Sequence, residues 1–319
     1  MARAIIRWTK GLVLALLVST GAHAANLIVG DQSYSARTVM EAAGVLNDVA
    51  YDIEWKQFTA GSPVAEALNV GSLDVGLLGD SPALFMGALG APIKVIGVSR
   101  QNLDGVAIVV RKDSPIRTVA DLAGKKVAIW KGSFSQQLML TALDKAGIAR
   151  DAVDYRYLSA LDSSHALEGG SVDAIATWEP YVTQQERQGA RIITTAKGLI
   201  PAQSFIVAND RAIKDKRAQI SDFLQRLQAA RAWSVSDPQH NEIYANAWSA
   251  LTKADAQVAS RWFSRAQVTV VPITPDVVAG AQQTIDFFND AGLTKSYPAA
   301  SVFDESFNAA LQSQTQVSR

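Results

Sequence analysis

The stretch Ala67-Leu-Asn-Val-Gly-Ser-Leu-Asp-Val75 returns about a hundred residues later as Ala166-Leu-Glu-Gly-Gly-Ser-Val-Asp-Ala174, with five of the nine residues identical. Each copy is typical of a helix end, a glycine stop, a serine turn and a short apolar strand, which is the αβ half of a βαβ unit. Gly-Ser-x-Asp after a helix is also common turn chemistry, so chance is the alternative. Because the following segments match as well, we interpret the copies as a structural repeat that predicts two similar lobes.

The segments that follow the two copies are also alike. Eight residues after each glycine stop stand Gly79-Asp80-Ser81-Pro82 and Trp178-Glu179-Pro180-Tyr181. Each strand therefore ends near an acidic residue, and a proline suits the first turn of a following helix. Ligands of open α/β sheets bind outside the carboxyl ends of the strands. Two lobes that face each other through these ends would form a ligand cleft.

The first 24 residues have the pattern of a cleavable secretion signal. Arg3, Arg7 and Lys10 precede the apolar run 11–18, and Ala22-His23-Ala24 is a small-x-small cleavage site. We therefore expect an exported mature chain that starts at position 25; an uncleaved membrane anchor is the alternative. The chain has no cysteine, so we expect neither a lipid anchor nor disulfides, and a periplasmic location.

Charge and composition argue against several classes of function. The chain has 30 basic and 30 acidic residues, and this balance does not suit a nucleic-acid partner. Beyond the signal peptide only His165 and His240 remain, without the paired spacing of a metal site. No Gly-x-Ser-x-Gly nucleophile elbow is present. We expect no metal, no cofactor and no catalysis.

Alternating strand and helix patterns divide the mature chain into two series. The first runs from Leu27 to Val98, and the second from Val106 to Thr195. A further strand at 205–208 and four helical segments follow. The predicted fold class is α/β, with doubly wound mixed sheets. We expect one discontinuous lobe (25–105 and 206–319) and one continuous lobe (106–205), joined by two crossings that suit closure around a ligand.

Several motifs carry a resemblance to a known family. They are Glu66-Ala-Leu-Asn-Val-Gly-Ser-Leu-Asp-Val-Gly76, Gly79-Asp80, Ser114-Pro-Ile-Arg-Thr-Val-Ala-Asp-Leu-Ala-Gly124, Lys131-Gly-Ser133, Gly170-Ser-Val-Asp173 and Trp178-Glu-Pro-Tyr181. With them the chain resembles the periplasmic solute-binding proteins of ABC importers, in the aliphatic sulfonate, taurine and nitrate group, and most of all the aliphatic sulfonate binders. The resemblance implies a type II periplasmic binding protein, usually monomeric, that delivers a small oxyanion to a membrane permease driven by an ATPase.

Two departures from the group leave the ligand open. Sulfonate binders usually carry Asp where this chain has Glu179, and Thr is common where it has Leu78. Taurine, nitrate and a pyrimidine precursor of thiamine therefore remain alternatives. An enzyme on the same fold, such as a pyrimidine-precursor synthase, is a further one.

Candidate ligand residues cluster at helix starts and strand ends. Helix N-termini offer free backbone N–H groups and a partial positive charge without a full cation, which suits an anion that must later be released. The predicted ligand-binding set is Gln32, Tyr34, Gly61, Ser62, Gly79, Asp80, Ser81, Arg100, Ser133, Phe134, Ser135, Trp178, Glu179 and Ser204.

The members of this set have different expected roles. Ser133 and Ser135 would add hydroxyl donors, and Trp178 would pack an organic tail or else lie in the core. Asp80 and Glu179 would either accept from a ligand amine or lock neighbouring loops. Among the others, Arg100 is the candidate cation or a solvated edge charge, Tyr34 is a cleft wall or a surface turn, and Ser204 touches the ligand or serves the hinge.

Overall fold

The computed structural model describes residues 26–312, and for Gln312 only the backbone. The predicted signal peptide, residues 1–24, lies outside the described residues. Within the described range, no helix is both long enough and apolar enough to cross a membrane.

The strands of the described range are β1 (Leu27–Gln32), β2 (Ile53–Phe58), β3 (Val75–Gly79), β4 (Ile93–Arg100), β5 (Val106–Val110), β6 (Lys126–Ile129), β7 (Asp154–Tyr157), β8 (Ala174–Trp178), β9 (Arg191–Thr195), β10 (Ser204–Asn209) and β11 (Thr269–Val271). The helices are α1 (Ser35–Ala42), α2 (Gly61–Asn69), α3 (Asp80–Ala88), α4 (Phe134–Lys145), α5 (Ala160–Glu168), α6 (Tyr181–Arg187), α7 (Asp210–Asp215), α8 (Arg217–Ser236), α9 (Pro238–Thr252), α10 (Ala256–Ala266), α11 (Pro275–Asp290) and α12 (Asn308–Gln312). Short 3₁₀ turns connect several of them.

The strands form two mixed sheets, as the sequence predicts. The first has the order β11-β4-β10-β3-β1-β2 and the second β7-β6-β8-β5-β9. β10 runs antiparallel to both of its neighbours, and so does β5, while β1, β2 and β3 are mutually parallel, as are β6, β7 and β8. The chain passes between the sheets after β4 and after β9. We call the elements on the six-stranded sheet the first lobe and those on the five-stranded sheet the second lobe.

The two copies of the repeat have the same structure. Gly71 and Gly170 both take the left-handed conformation, with φ of 72° and 71°, which a residue with a Cβ adopts only at a cost. Asp74 Oδ2 then accepts the N–H of Ile28 at 2.7 Å, and Asp173 Oδ2 accepts the N–H of Lys126 at 2.9 Å. Each Asp thus ties its own strand to the first residues of the neighbouring parallel strand.

The pairs Ser62-Pro63 and Ser81-Pro82 each predict a serine cap followed by proline at the first helical position, and both predictions are wrong by two residues. Helix α2 begins at Gly61 after Ala60, and α3 begins at Asp80 after Gly79, so the two serines are not the caps. Proline is tolerated throughout the first turn, where its missing N–H is not needed. The cap at Ser133 is as predicted, since its hydroxyl accepts the N–H of Ser135.

Candidate ligand cleft

A cavity of about 170 Å³ lies between the lobes. Its walls come from the carboxyl ends of β1, β3 and β8, from the starts of α2 and α4, and from the segments that join the two sheets. From the predicted set, the residues that line it are Gln32, Gly61, Ser62, Gly79, Ser133, Phe134, Trp178, Glu179 and Ser204. These nine residues therefore share one cavity, and their role in binding stays a prediction.

The other five residues of the predicted set do not line this cavity, which corrects their placement. Tyr34 has a left-handed backbone and packs against the core of the first lobe. Asp80, Ser81 and Ser135 are fully buried behind the cavity wall. Arg100 is half-exposed, pairs with Asp276 at 2.5 Å, and lines a neighbouring pocket that shares Ser99 and Gln101 with the cavity. As an exposed pair in water it needs no ligand.

The cation in the cavity wall is Arg231, which the sequence analysis missed. Its side chain is 5% exposed and lies on the buried face of α8. Nη1 donates to Tyr244 Oη at 3.2 Å and Nη2 to Ser35 Oγ at 2.9 Å, whereas Nε has no partner among the described residues. Within that part of the chain no carboxylate lies within 4.0 Å of the guanidinium. A buried donor without a partner is costly, so the Nε of Arg231 is a donor that an anion in the cavity could use.

Asp31 also lines the cavity, and it interacts with Arg231 through charge and not through a direct hydrogen bond. Its carboxylate accepts the N–H groups of Gln32, Ala36 and Arg37 and the side-chain amide of Gln57. Burial raises the pKa of Asp31, while these hydrogen bonds and the charge of Arg231 lower it in part. The carboxylate is thus used to cap the start of α1.

The serines at the start of α4 bond to protein atoms. Ser133 Oγ donates to the carbonyl of Trp130 at 2.7 Å, and it lies 2.9 Å from Ser135 Oγ. Ser135 Oγ accepts the N–H of Trp130 at 2.8 Å. Neither hydroxyl is free to donate to a ligand. The backbone N–H of Phe134 has no hydrogen-bond partner among the described residues, so the helix terminus itself is the available donor.

Asp80 and Glu179 hold the protein together at the cavity edge. Asp80 accepts the N–H of Ser81 at 2.5 Å and of Gln203 at 3.2 Å, and burial raises its pKa to about 6. Glu179 accepts the N–H and hydroxyl of Thr183 at 3.0 and 2.9 Å. Burial raises the pKa of Glu179, although the charge of Arg265 opposes that shift. The geometry agrees with the loop-locking alternative.

Aromatic side chains form the apolar part of the wall. Trp130, Phe134 and Trp178 come from the second lobe, and Trp262 of α10 comes from the first. Phe134 reaches across to β3, where a Cβ on Gly79 would stand 3.0 Å from its ring. The cavity thus combines a buried cation with a broad apolar surface, which suits an anionic head group on an organic tail.

A signal for Arg231 is present in the sequence. The buried face of α8 includes Ile220, Leu224, Leu227, Arg231 and Ser234, at the three- and four-residue spacing of one helix face. An arginine at a core position of an amphipathic helix needs a partner. Trp262 lies likewise on the buried face of α10, and sequence periodicity does not separate a cavity wall from a core.

The fold and the cavity define a periplasmic binding protein, and comparison with known proteins agrees. The sequence model described as NMT1/THI5 like matches residues 47–241. A protein of Escherichia coli (strain K12), named for binding aliphatic sulfonates, is 36% identical over 282 residues, which cover 86% of this chain and 88% of that protein. The chain therefore belongs to the NMT1/THI5-like family.

Solved structures show the same fold. The periplasmic aliphatic sulphonate binding protein of Escherichia coli superposes with a TM-score of 0.79 and 32% identity, over 87% of this chain and 97% of that one. The alkanesulfonate-binding protein of Xanthomonas axonopodis pv. citri, solved bound to MOPS, superposes with a TM-score of 0.81 and 28% identity. The match covers 89% of this chain and 99% of that one. A desulfurization enzyme with 15% identity superposes with a TM-score of 0.69, over 90% of this chain and 99% of that one. The fold therefore also occurs in an enzyme.

Proposed function

We propose that this protein is the periplasmic substrate-binding component of an ABC importer for organosulfonates. The observation that carries the proposal is the buried guanidinium of Arg231, which has no carboxylate within 4.0 Å among residues 26–312 and lies in a cavity walled by aromatic rings. A sulfonate stays anionic at neutral pH, and its oxygens accept from guanidinium and backbone N–H groups at once. The apolar walls would hold its tail.

The names of two related proteins support this ligand class. One relative is named for aliphatic sulfonates and another was solved with MOPS, itself a propanesulfonate. We propose that the protein is exported by its signal peptide to the periplasm, binds as a monomer, and docks on a permease with its ATPase. The lobes would comprise residues 25–105 with 206–319, and 106–205. The start of β10 at Ser204 supports a second boundary near this position.

The cavity favours plain organosulfonates over the alternative ligands. Asp31 and Glu179, the acidic residues among those that line it, are both occupied by protein donors. The ammonium of taurine would therefore lie in the cavity without a counter-charge. Nitrate would leave the aromatic walls uncovered, and a neutral pyrimidine would leave the charge of Arg231 uncompensated.

We propose binding without chemistry. No histidine is among the residues that line the cavity, and the chain has no cysteine. Within residues 26–312 no histidine or carboxylate is hydrogen-bonded to the hydroxyl of Ser62 or Ser204, as activation of a nucleophile would require. The cavity residues can orient and desolvate an anion, which is what capture before transport requires.

A thermal-shift panel on the purified mature protein tests this function. Ethanesulfonate and longer alkanesulfonates should raise the melting temperature in a saturable way, because they bind only the folded state. Taurine, nitrate and thiamine-pyrimidine precursors should raise it far less at equal concentration. A shift produced by a heterocycle while every sulfonate is silent would refute the sulfonate assignment.

A further inference from the structure

We propose that Arg265 is a positioning residue for ligand capture: its ion pairs with Glu179 and Glu186 hold the two lobes closed and fix the segment that carries Trp178. The proposal concerns the same cleft and rests on the proposed function for its ligand. Arg265 is on α10, which packs on α9 and in the core of the first lobe. Both carboxylates belong to the second lobe.

The arginine lies between two carboxylates of the opposite lobe. Its Nη1 is 2.9 Å from Glu179 Oε1, in a contact that is ionic rather than an aligned hydrogen bond. Its Nη2 donates to Glu186 Oε2. The side chains of Arg265 and Glu179 are 14% and 5% exposed. Water screens such a pair far less than a surface pair.

Glu179 connects this ion pair to the ligand wall. It follows Trp178 directly, and both residues line the cavity. Its other bonds go to Thr183, in its own lobe. A Cβ on Gly105 would stand 2.7 Å from Glu179 Cγ, so the first crossing between the lobes also packs against this side chain. The position of Glu179 therefore depends on its own helix, the crossing and Arg265.

Opening the lobes would break the pair at a cost. Glu179 would be left partly buried without its counter-charge, and removing one partner of a buried pair is strongly destabilising. A ligand that is already bound would then leave slowly, because release requires this separation. The effect should appear mainly in the dissociation rate, where most affinity changes occur.

The ion pairs that surround Arg265 are more exposed to water than its contact with Glu179. Arg261 lies 3.2 Å from Glu186, and Arg187 lies 2.7 Å from Asp255. Salt weakens pairs of this type. On the other side of the cleft, α4 meets α11 through the neutral contact of Gln137 with Thr284 at 3.3 Å. We therefore assign the main closing interaction to Arg265.

Stopped-flow tryptophan fluorescence with an alkanesulfonate tests the proposal. Arg265→Gln should raise the dissociation rate about tenfold, which corresponds to about 1.4 kcal/mol, and leave the association rate within about threefold. Arg265→Lys, which keeps the charge, should recover part of the loss. The matched control is Arg156→Gln, because Arg156 pairs with Asp154 inside the second lobe. Unchanged dissociation in Arg265→Gln, or an equal change in the control, would overturn the proposal.

Small-angle X-ray scattering of the ligand-free proteins gives a readout that needs no ligand. Arg265→Gln should have a larger radius of gyration than wild type, and Arg156→Gln should not. Equal radii for wild type and Arg265→Gln would count against the closing role. If the variant expands while wild type binds no sulfonate, the proposed ligand is wrong and the role of Arg265 stands.

Discussion

At the scale of single residues, buried polar groups decide what the cleft can bind. Arg231 has a charge in the wall and, among the residues that the structure describes, no carboxylate within 4.0 Å, whereas Asp31, Asp80 and Glu179 accept from protein donors. Arg100 was the predicted cation because it follows a strand end. Exposure and its pair with Asp276 separate that arginine from the cleft, and neither property can be read from local sequence.

Ser135 and Ser62 form a matched pair of hydroxyls with opposite expected effects. Ser135→Ala removes the acceptor of the Trp130 N–H and should lower the free energy of unfolding by about 1–2 kcal/mol. Ser62 lines the cavity, and its hydroxyl has no hydrogen-bond partner in the range 26–312. Ser62→Ala should weaken sulfonate binding without a change in stability. Denaturant titration and calorimetry on both variants measure the two effects. If Ser135→Ala weakened binding and Ser62→Ala did not, the serines of α4 and not Ser62 would be the hydroxyl donors to the ligand.

The raised pKa of Asp80 has a consequence for stability. Burial raises the folded-state pKa of Asp80 to about 6, above the ordinary value of 3.8 for an aspartate. The folded protein therefore holds this proton more tightly than the unfolded chain does, and the contribution of Asp80 to stability is lost as pH rises from about 4 to about 6. Relative to Asp80→Asn, wild type should lose on the order of 2 kcal/mol over this window. Parallel pH profiles of the two proteins in urea would contradict the assignment.

Trp178 should distinguish ligands by tail length. Its indole lines the cavity and also contacts the core of the second lobe. Trp178→Ala should cost hexanesulfonate about 1–2 kcal/mol more than methanesulfonate, because only the longer tail loses apolar contact. Calorimetric titration over a chain-length series measures the difference. Equal losses along the series would assign Trp178 to packing alone.

At the scale of elements, local sequence was sufficient for the helices and strands and insufficient for their contacts. Glycine stops and prolines predicted the approximate helix boundaries, because these signals act within one turn, although the caps at Ser62 and Ser81 were misplaced. The three-residue strand β11 and the six-residue helix α7 were missed, since neither is long enough to show a period. The contact of Phe134 with Gly79 depends on how the lobes meet, which no local pattern encodes.

A substitution at Gly79 tests the contact between β3 and Phe134 of α4. A Cβ there would meet the ring of Phe134 at 3.0 Å, and the backbone φ of −63° accepts any residue. Gly79→Val should therefore separate β3 from α4 and weaken sulfonate affinity about tenfold or more, with a small loss of thermal stability. Calorimetry and melting curves measure the two effects. Unchanged affinity would mean that the lobes need not approach this closely to bind.

At the scale of the whole molecule, the repeat explains why the cleft could be predicted before its residues. Each copy places a strand end beside a helix start, and the two sheets bring those ends to one cavity. The two-sheet fold could be predicted from the strand and helix patterns within each half of the chain. The cavity wall is different: the places of Arg231, Trp130 and Trp262 in it could not be predicted, because only the assembled lobes distinguish a cavity wall from a core.

The most direct measurement is calorimetric titration of an alkanesulfonate into the mature wild type, Arg231→Gln and Arg100→Gln. Removing the charged donors of Arg231 should weaken binding about a hundredfold, or about 3 kcal/mol, while Arg100→Gln should stay within about threefold of wild type. Ligand-free Arg231→Gln should melt lower than wild type, because it loses the hydrogen bonds to Tyr244 and Ser35 and the charge interaction with Asp31, so the affinities are compared at a temperature where both proteins are folded. Full affinity in Arg231→Gln, or its loss in Arg100→Gln, would contradict the claim that Arg231 holds the anion.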